Sequence, residues 1–220
     1  MLGDKNPTPV GLNAQVMLNC FAGGTCQGGN PGEVYEYAFM SGVPDSSCEQ
    51  YVAKGPTDKT KMCESIDVCK DCTWPPCPVG ESCQDKCWAV KSKMYYVSNF
   101  YSILTAQQMK ADIYKYGPIS CGIQATDKFV AYTGGIYSEE ILSPALNHEI
   151  AVVGWGVDPD SGDEYWIGRN SWGTYWGEWG YFKMLAKEGY DLGITYDCSA
   201  GRPTFKGPTE RQTLEDAILF

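Results

Sequence analysis

The chain has 220 residues, 43% of them hydrophobic and 13% aromatic, which is enough to bury the core of one or two compact domains. A formal net charge of −10 argues against a nucleic-acid partner, which would require a basic surface. No run approaches the roughly 18 consecutive apolar residues of a membrane-spanning helix, and the polar start of the chain lacks a signal-peptide pattern. We therefore expect neither nucleic acid nor a membrane among its partners.

Eleven cysteines are too many for an ordinary cytosolic protein and predict disulfides, which form in a secretory, extracellular or lysosome-like compartment. The count is odd, so one cysteine is left without a partner in the chain. Six of them fall in residues 63–87, where the pattern C-x-x-C at Cys69 and Cys72 is also compatible with zinc. Disulfides are favoured because the single histidine, His148, lies far away, and we expect no metal or other cofactor.

Short helices and loops are predicted for the first 90 residues. One short helix fits residues 12–20, and a second fits residues 33–41, where Gly42 ends it. The many cysteines and prolines of residues 63–87 make regular structure unexpected there.

Residues 91–200 are predicted to be mixed at first and then mainly β. Thr105, with Gln108 in the capping-box position, starts a helix that ends before Gly117. Alternating apolar residues then predict a half-buried strand at 119–123.

A hairpin is predicted from the strand-like runs 148–156 and 164–170, which flank the turn-rich residues 158–162. The midpoint between His148 and Asn170 falls inside that turn, so we expect the two side chains opposite each other, or nearly so, on one face, with Cβ atoms about 5 Å apart. An amide that holds an imidazole suits a thiol nucleophile, because it fixes the ring while the other ring nitrogen faces the sulfur. By itself, such a pair is more often a structural hydrogen bond.

The residues around this pair make the pattern specific. Residues 170–181 read N-S-W-G-x-x-W-G-x-x-G-Y, Asn147-His148 leads into the strand that ends in G-W-G at 154–156, and C-Q-G-G-N stands at 26–30. Together these motifs resemble the papain-like cysteine peptidase family. Residues 42–45, 116–123 and 132–137 are similar to its cathepsin X (cathepsin Z) branch. The resemblance covers roughly residues 10–200 and leaves 73–86, which look like an insertion, and the tail unmatched.

The resemblance implies an α+β, papain-like fold with a helical left domain and a β-barrel right domain. We expect these at residues 1–95 and 96–200, followed by a polar C-terminal tail, 201–220, that lies loosely on the surface. It further implies a cysteine peptidase that cleaves peptide or protein substrates, with the carboxypeptidase action of the cathepsin X branch.

The family motifs assign roles to five residues. His148 would take and return a proton, Asn170 would orient the imidazole, and Trp172 would shield their hydrogen bond from water. Gly28 and Gly29 would leave the substrate groove open for a peptide backbone. For each glycine the plainer alternative is an ordinary turn, and for Trp172 an aromatic residue of the core.

The resemblance also implies disulfide pairs: Cys121 with Cys198, Cys20 with Cys63, and Cys48 with Cys69. The general family pattern would instead join Cys20 to Cys48. Four further cysteines are left to form two pairs in an arrangement that the sequence does not decide: Cys72, Cys77, Cys83 and Cys87. The cysteine that remains is Cys26, whose partner in the family lies beside the nucleophile.

The family nucleophile itself is not found in this chain. It belongs to a C-G-S-C-W-type segment some 130–150 residues before the histidine, and none of the eleven cysteines has this context. The oxyanion-hole glutamine, the carboxylate-binding mini-loop and the central helix of the left domain are missing as well. We therefore expect this chain alone to be inactive, because it lacks the N-terminal segment of the family. Two alternatives stay open: a non-catalytic papain-like binding or structural module, and a two-chain enzyme whose N-terminal segment is linked through Cys26.

Overall fold

The computed structural model describes residues 10–57, 60, 62–72 and 87–208, which cluster into two compact units. One unit comprises the described parts of Met1–Phe100 and Arg202–Phe220, and the other is Tyr101–Gly201. The domain limits expected from the sequence, 95/96 and 200/201, stay a prediction. No helix of the described residues is long and apolar enough to cross a membrane.

The first unit contains three short helices and several short strands. Its helices are α1 (Gln15–Asn19), α2 (Pro31–Met40) and α3 (Ser65–Val68). Its strands are β1 (Gly24–Thr25), β2 (Gly28–Gly29), β3 (Val43–Pro44), β4 (Lys70–Cys72), β5 (Cys87–Ala89) and β6 (Met94–Ile103), the last of which continues into the second unit. The short elements α3, β4 and β5 form where no regular structure was expected, whereas residues 73–86 lie outside the described residues.

Local capping explains why α2 begins earlier than the apolar pattern indicated. The Asn30 side chain accepts a hydrogen bond from the Gly32 N–H at 2.8 Å, and Pro31 occupies the first helical position. Proline is favoured there because its missing N–H would have no helical partner. The helix therefore starts at residue 31 rather than 33.

The second unit combines a sheet with two helices. Its helices are α4 (Ala106–Tyr116) and α5 (Asp127–Val130). Its strands are β7 (Ile119–Ile123), β8 (Ile136–Tyr137), β9 (His148–Val157), β10 (Glu164–Arg169), β11 (Tyr181–Leu185) and β12 (Cys198–Thr204). The predicted helix after Thr105 and the strands near 119, 148 and 164 are confirmed.

The sheet of this unit is open. Its order is β12-β7-β9-β10-β11-β8, antiparallel except for the parallel pair of β11 with β8. The β-barrel expected for the right domain is therefore not confirmed, since the described strands do not close and the edge strand β8 is only two residues long. Residues 201–204 belong to β12, so this part of the predicted loose tail is a strand.

The core of the second unit lies against one face of this sheet. Helix α4 packs on β7 and β9 and buries Met109 and Ile113. The side chains of Trp166, Phe129 and Phe182 are completely buried in the same cluster. A continuous core under β9 and β10 supports the two strands that carry His148 and Asn170.

Four disulfides lie within the described residues. Three are in the first unit and one in the second: Cys20–Cys63, Cys48–Cys69, Cys72–Cys87 and Cys121–Cys198. The first, second and fourth are the pairs that the resemblance implied. The third settles half of the open arrangement, while Cys77 and Cys83 lie outside the described residues.

Candidate active site

His148 and Asn170 come together through an irregular hairpin. Strands β9 and β10 pair Glu164 with Val157, but the register shifts between Ile167 and Gly168, after which Arg169 pairs with Ala151. Continued by one residue, this register places Asn170 opposite position 150, two residues from His148. The two residues are therefore diagonal neighbours on one face rather than directly opposed, which agrees with the expected near-opposition; the offset arises because the turn is longer than assumed and the ladder contains a bulge.

The register shift decides which face Asn170 occupies. Neighbouring residues of a strand point to opposite faces, and opposed residues share a face. With the register of Glu164 and Val157, Asn170 would oppose Ala151 and point away from His148. The single-residue shift moves Asn170 to the face of His148, as a diagonal neighbour. A bulge re-aims side chains in this way.

A hydrogen bond joins the two side chains directly. His148 Nε2 lies 2.9 Å from Asn170 Oδ1, and Asn170 is only 4% exposed. The same oxygen accepts the Ser171 N–H at 2.8 Å, which fixes the orientation of the amide because a rotated NH2 group would face that N–H donor. The backbone N–H of Asn170 donates to the Gly180 carbonyl oxygen at 2.9 Å. The amide oxygen is thus held by two contacts, whereas the buried Nδ2 of Asn170 has no hydrogen-bond partner in the described part of the chain.

This arrangement fixes the tautomer of the neutral imidazole. Since Oδ1 can only accept, Nε2 carries the proton that it donates to Asn170. Nδ1 then keeps its lone pair and can act as a base. The same bond can form when Nδ1 is protonated, because Nε2 still carries its proton. Ser171 was not singled out in the sequence, since a backbone N–H leaves no residue-type signal.

Trp172 covers the imidazole. The two rings stack with centroids 4.7 Å apart at an interplanar angle of 29°. Trp172 in turn meets Trp176 edge-on at 5.1 Å, and Phe129 lies 6.0 Å from it. Trp176 is fixed by its own indole N–H, which donates to the Val130 carbonyl oxygen of α5 at 2.9 Å. The stack therefore rests on the buried core rather than on a free loop.

A half-buried carboxylate follows the histidine. Glu149 accepts a short hydrogen bond from the Ser120 hydroxyl group on the adjacent strand. Burial raises the pKa of Glu149, the Ser120 bond opposes this, and the nearby charge of Asp197 raises it further.

The remaining predicted residues lie in the other unit. Gly28 and Gly29 form strand β2, exposed and paired with β1, and their role in a substrate groove stays a prediction. Cys26 is exposed and is the only free cysteine among the described residues; its thiol donates to the Ala53 carbonyl oxygen at 3.3 Å. The other described cysteines are in disulfides and cannot act as nucleophiles. Within the described part of the chain, no cluster of His, Cys, Asp or Glu side chains could hold a metal.

Comparison with known proteins agrees with this geometry. Residues 3–202 match the model of the papain family of cysteine proteases. Cathepsin Z of Onchocerca volvulus is 41% identical over 197 residues, covering 86% of this chain and 59% of that protein. Cathepsin B-like protease 1 of Arabidopsis thaliana is 28% identical over 221 residues, covering 96% of this chain and 54% of its own length. The chain thus spans less than two thirds of these curated relatives.

Solved structures share the fold. Procathepsin B S9 from Trypanosoma congolense superposes with a TM-score of 0.68 at 26% identity, covering 91% of this chain and 62% of that one. Bromelain from Ananas comosus, in complex with the inhibitor E64, gives the same TM-score of 0.68 at 24% identity, covering 90% of this chain and 80% of that one. Sequence motifs, site geometry and comparisons agree: the chain belongs to the papain family of cysteine proteases.

Proposed function

We propose that this chain supplies the histidine and asparagine of a cysteine peptidase site whose nucleophile lies outside residues 1–220. The observation that carries the proposal is the His148–Asn170 hydrogen bond at 2.9 Å, with Trp172 stacked on the ring and Nδ1 left as the base. A structural hydrogen bond would need neither the fixed amide orientation nor the aromatic cover. Cysteine protease chemistry needs both.

The reaction then proceeds by proton transfer and acylation. Nδ1 of His148 takes the proton of the nucleophilic thiol, and the resulting imidazolium is stabilised by the oxygen of Asn170. The thiolate attacks the peptide carbonyl carbon, and His148 returns the proton to the leaving amine as the peptide bond breaks. His148 next takes a proton from water, which hydrolyses the thioester and restores the thiol.

The finer assignments follow the same reasoning. Carboxypeptidase action on peptide or protein substrates is proposed from the similarity to cathepsin Z of Onchocerca volvulus. A lysosome-like or extracellular location is proposed because four disulfides require an oxidising environment to form. Cys26 is proposed as the attachment point of the segment with the nucleophile, since its thiol is free and exposed.

Reconstitution tests the proposal. The part of the Onchocerca volvulus cathepsin Z that lies outside the 197 matched residues is joined to this chain, and thiol-dependent cleavage of peptides is measured. We expect cleavage by the fusion, none by the chain alone, and none by the fusion with His148→Ala. Thiol-dependent cleavage by the chain alone would refute the external nucleophile. A folded fusion that binds peptides without cleaving them would favour a binding module.

Non-reducing mass spectrometry of the protein from its natural source tests the attachment point. We expect a disulfide-linked peptide on Cys26. A free Cys26 thiol would refute the link and leave the role of His148 untouched.

A further inference from the structure

Two side-chain amides just outside the active-site strand hold the loop before His148. Asn147 Oδ1 accepts the Ala125 N–H at 2.8 Å, and Asn147 Nδ2 donates to the Ala125 carbonyl oxygen at 3.4 Å. The second amide, that of Gln124, accepts the Ala145 N–H through Oε1 at 2.8 Å. Each amide thus binds the backbone of the segment that carries the other.

These contacts begin where the regular ladder stops. The β7–β9 pairing ends with Ile123 opposite His148, and the Asn147 N–H still reaches the Ile123 carbonyl oxygen at 3.0 Å. His148 is therefore the first residue of its strand, a position at which strands open most easily. Before His148 in the chain, the side-chain amide of Asn147 binds both the N–H and the carbonyl oxygen of Ala125. It thus takes the place of one more backbone residue in the ladder.

The segment that carries Gln124 and Ala125 is itself anchored. The Gln124 N–H donates to the Leu192 carbonyl oxygen at 2.9 Å, and Leu192 is completely buried. Ala125 is followed by Thr126, whose hydroxyl group accepts the Phe129 N–H and so begins α5. The amides consequently tie the loop before His148 to a segment that is fixed at both ends.

We propose that Asn147 and Gln124 are positioning residues that keep the end of β9 closed, so that the His148 ring stays on Asn170 and Trp172. The inference deepens the proposed function, because it rests on a catalytic role for His148. Asn147 is exposed, so its side chain contributes little to the core, and its effect is confined to the strand end. Asn147 acts more directly than Gln124 because it precedes the histidine.

The single histidine of the chain makes the test unambiguous. In the full 220-residue chain, nuclear magnetic resonance follows the exchange of the His148 Nε2 proton with water and the shift of its ring protons under Trp172. With Asn147→Ala we expect exchange about five- to tenfold faster, the change for losing one or two neutral hydrogen bonds. We also expect ring-proton shifts displaced towards those of a free histidine. Gln124→Ala should act in the same direction but less.

Three comparisons separate positioning from general destabilisation. Asn99→Ala replaces an exposed asparagine of β6 and should change neither signal. The backbone N–H of Val152, buried in the middle of β9, should exchange as in the unaltered chain. Asn147→Asp keeps the acceptor for the Ala125 N–H and should restore the His148 exchange rate to within about twofold.

Two results would overturn the inference: an Asn147→Ala variant that matches Asn99→Ala, or an Asn147→Asp variant as fast as Asn147→Ala. Equal acceleration at Val152 and His148 would also overturn it, since Asn147 would then stabilise the whole sheet. None of these outcomes depends on peptidase activity, so a failure of this inference can be distinguished from a failure of the proposed function.

Discussion

The Cys121–Cys198 disulfide provides a quantitative test of how the second unit is held together. The two cysteines are opposed on β7 and β12, are 0% and 1% exposed, and lie 77 residues apart in the chain. A cross-link over a loop of that length restricts the unfolded chain and stabilises the fold by about 4.5 kcal/mol at 25 °C. Single domains are stable by only about 5–15 kcal/mol. Replacing both cysteines with alanine should therefore remove much of the stability of this unit.

The assay is equilibrium unfolding in urea, followed by tryptophan fluorescence, since five of the seven tryptophans lie in residues 101–201. The matched control replaces Cys48 and Cys69 of the first unit with alanine; this pair is also buried but spans only 21 residues, for which the same relation gives about 3.3 kcal/mol. A loss below about 1.5 kcal/mol for Cys121 and Cys198, or a loss smaller than that of the control pair, would refute the loop-entropy reasoning.

Three further predictions concern residues around the site. Burial raises the folded-state pKa of Glu149, so ionisation of this group removes stability as pH rises from its ordinary pKa of 4.5 through the raised value. Glu149→Gln should therefore raise the urea midpoint at pH 7 but not at pH 4. Asn170→Ala removes the acceptor of two donors, so we expect a loss of about 1–3 kcal/mol and fast exchange of the His148 Nε2 proton. Gly168→Ala places a methyl group on the buried ring of Phe182 and should lower stability by about 1–3 kcal/mol.

Each of these predictions has a clear contrary result. Equal effects of Glu149→Gln at both pH values would show that the carboxyl group does not titrate between them. A protected Nε2 proton in Asn170→Ala would mean that another group holds the imidazole. For Gly168→Ala, an unchanged urea midpoint would show that Phe182 moves aside freely, and Gly154→Ala, a strand glycine whose added methyl group would meet only Ile167 at an ordinary 3.6 Å, serves as its control.

Much of the candidate site could be predicted because its signals are local. The turn-rich residues after 157 predicted the hairpin, and the capping pattern at Thr105 predicted α4. The glycine and tryptophan motif after Asn170 then distinguished a peptidase site from an ordinary hairpin contact. Local patterns of this kind can be recognised in the sequence because they depend on residues only a few positions apart.

Other features depended on residues far apart in the sequence. Composition left the pairing of Cys72 open, and the β4–β5 ladder resolved it by placing Cys72 opposite Cys87. The polar tail that starts at Gly201 gave no sign that its first four residues would complete β12, because a strand at this place is stabilised by its neighbours rather than by its own pattern.

The sequence by itself predicted the members of the candidate site: an imidazole, an amide and an indole in motifs typical of the papain family. Only the tertiary structure decided that they meet. The extra residue Val153 in β9, opposite the step from Ile167 to Gly168, brings Asn170 to the face of His148, and the Ser171 N–H points the amide oxygen at the ring. The physical reason is that a shift of strand register by one residue moves every side chain of the strand to the other face of the sheet. The register itself is set by packing across the whole sheet.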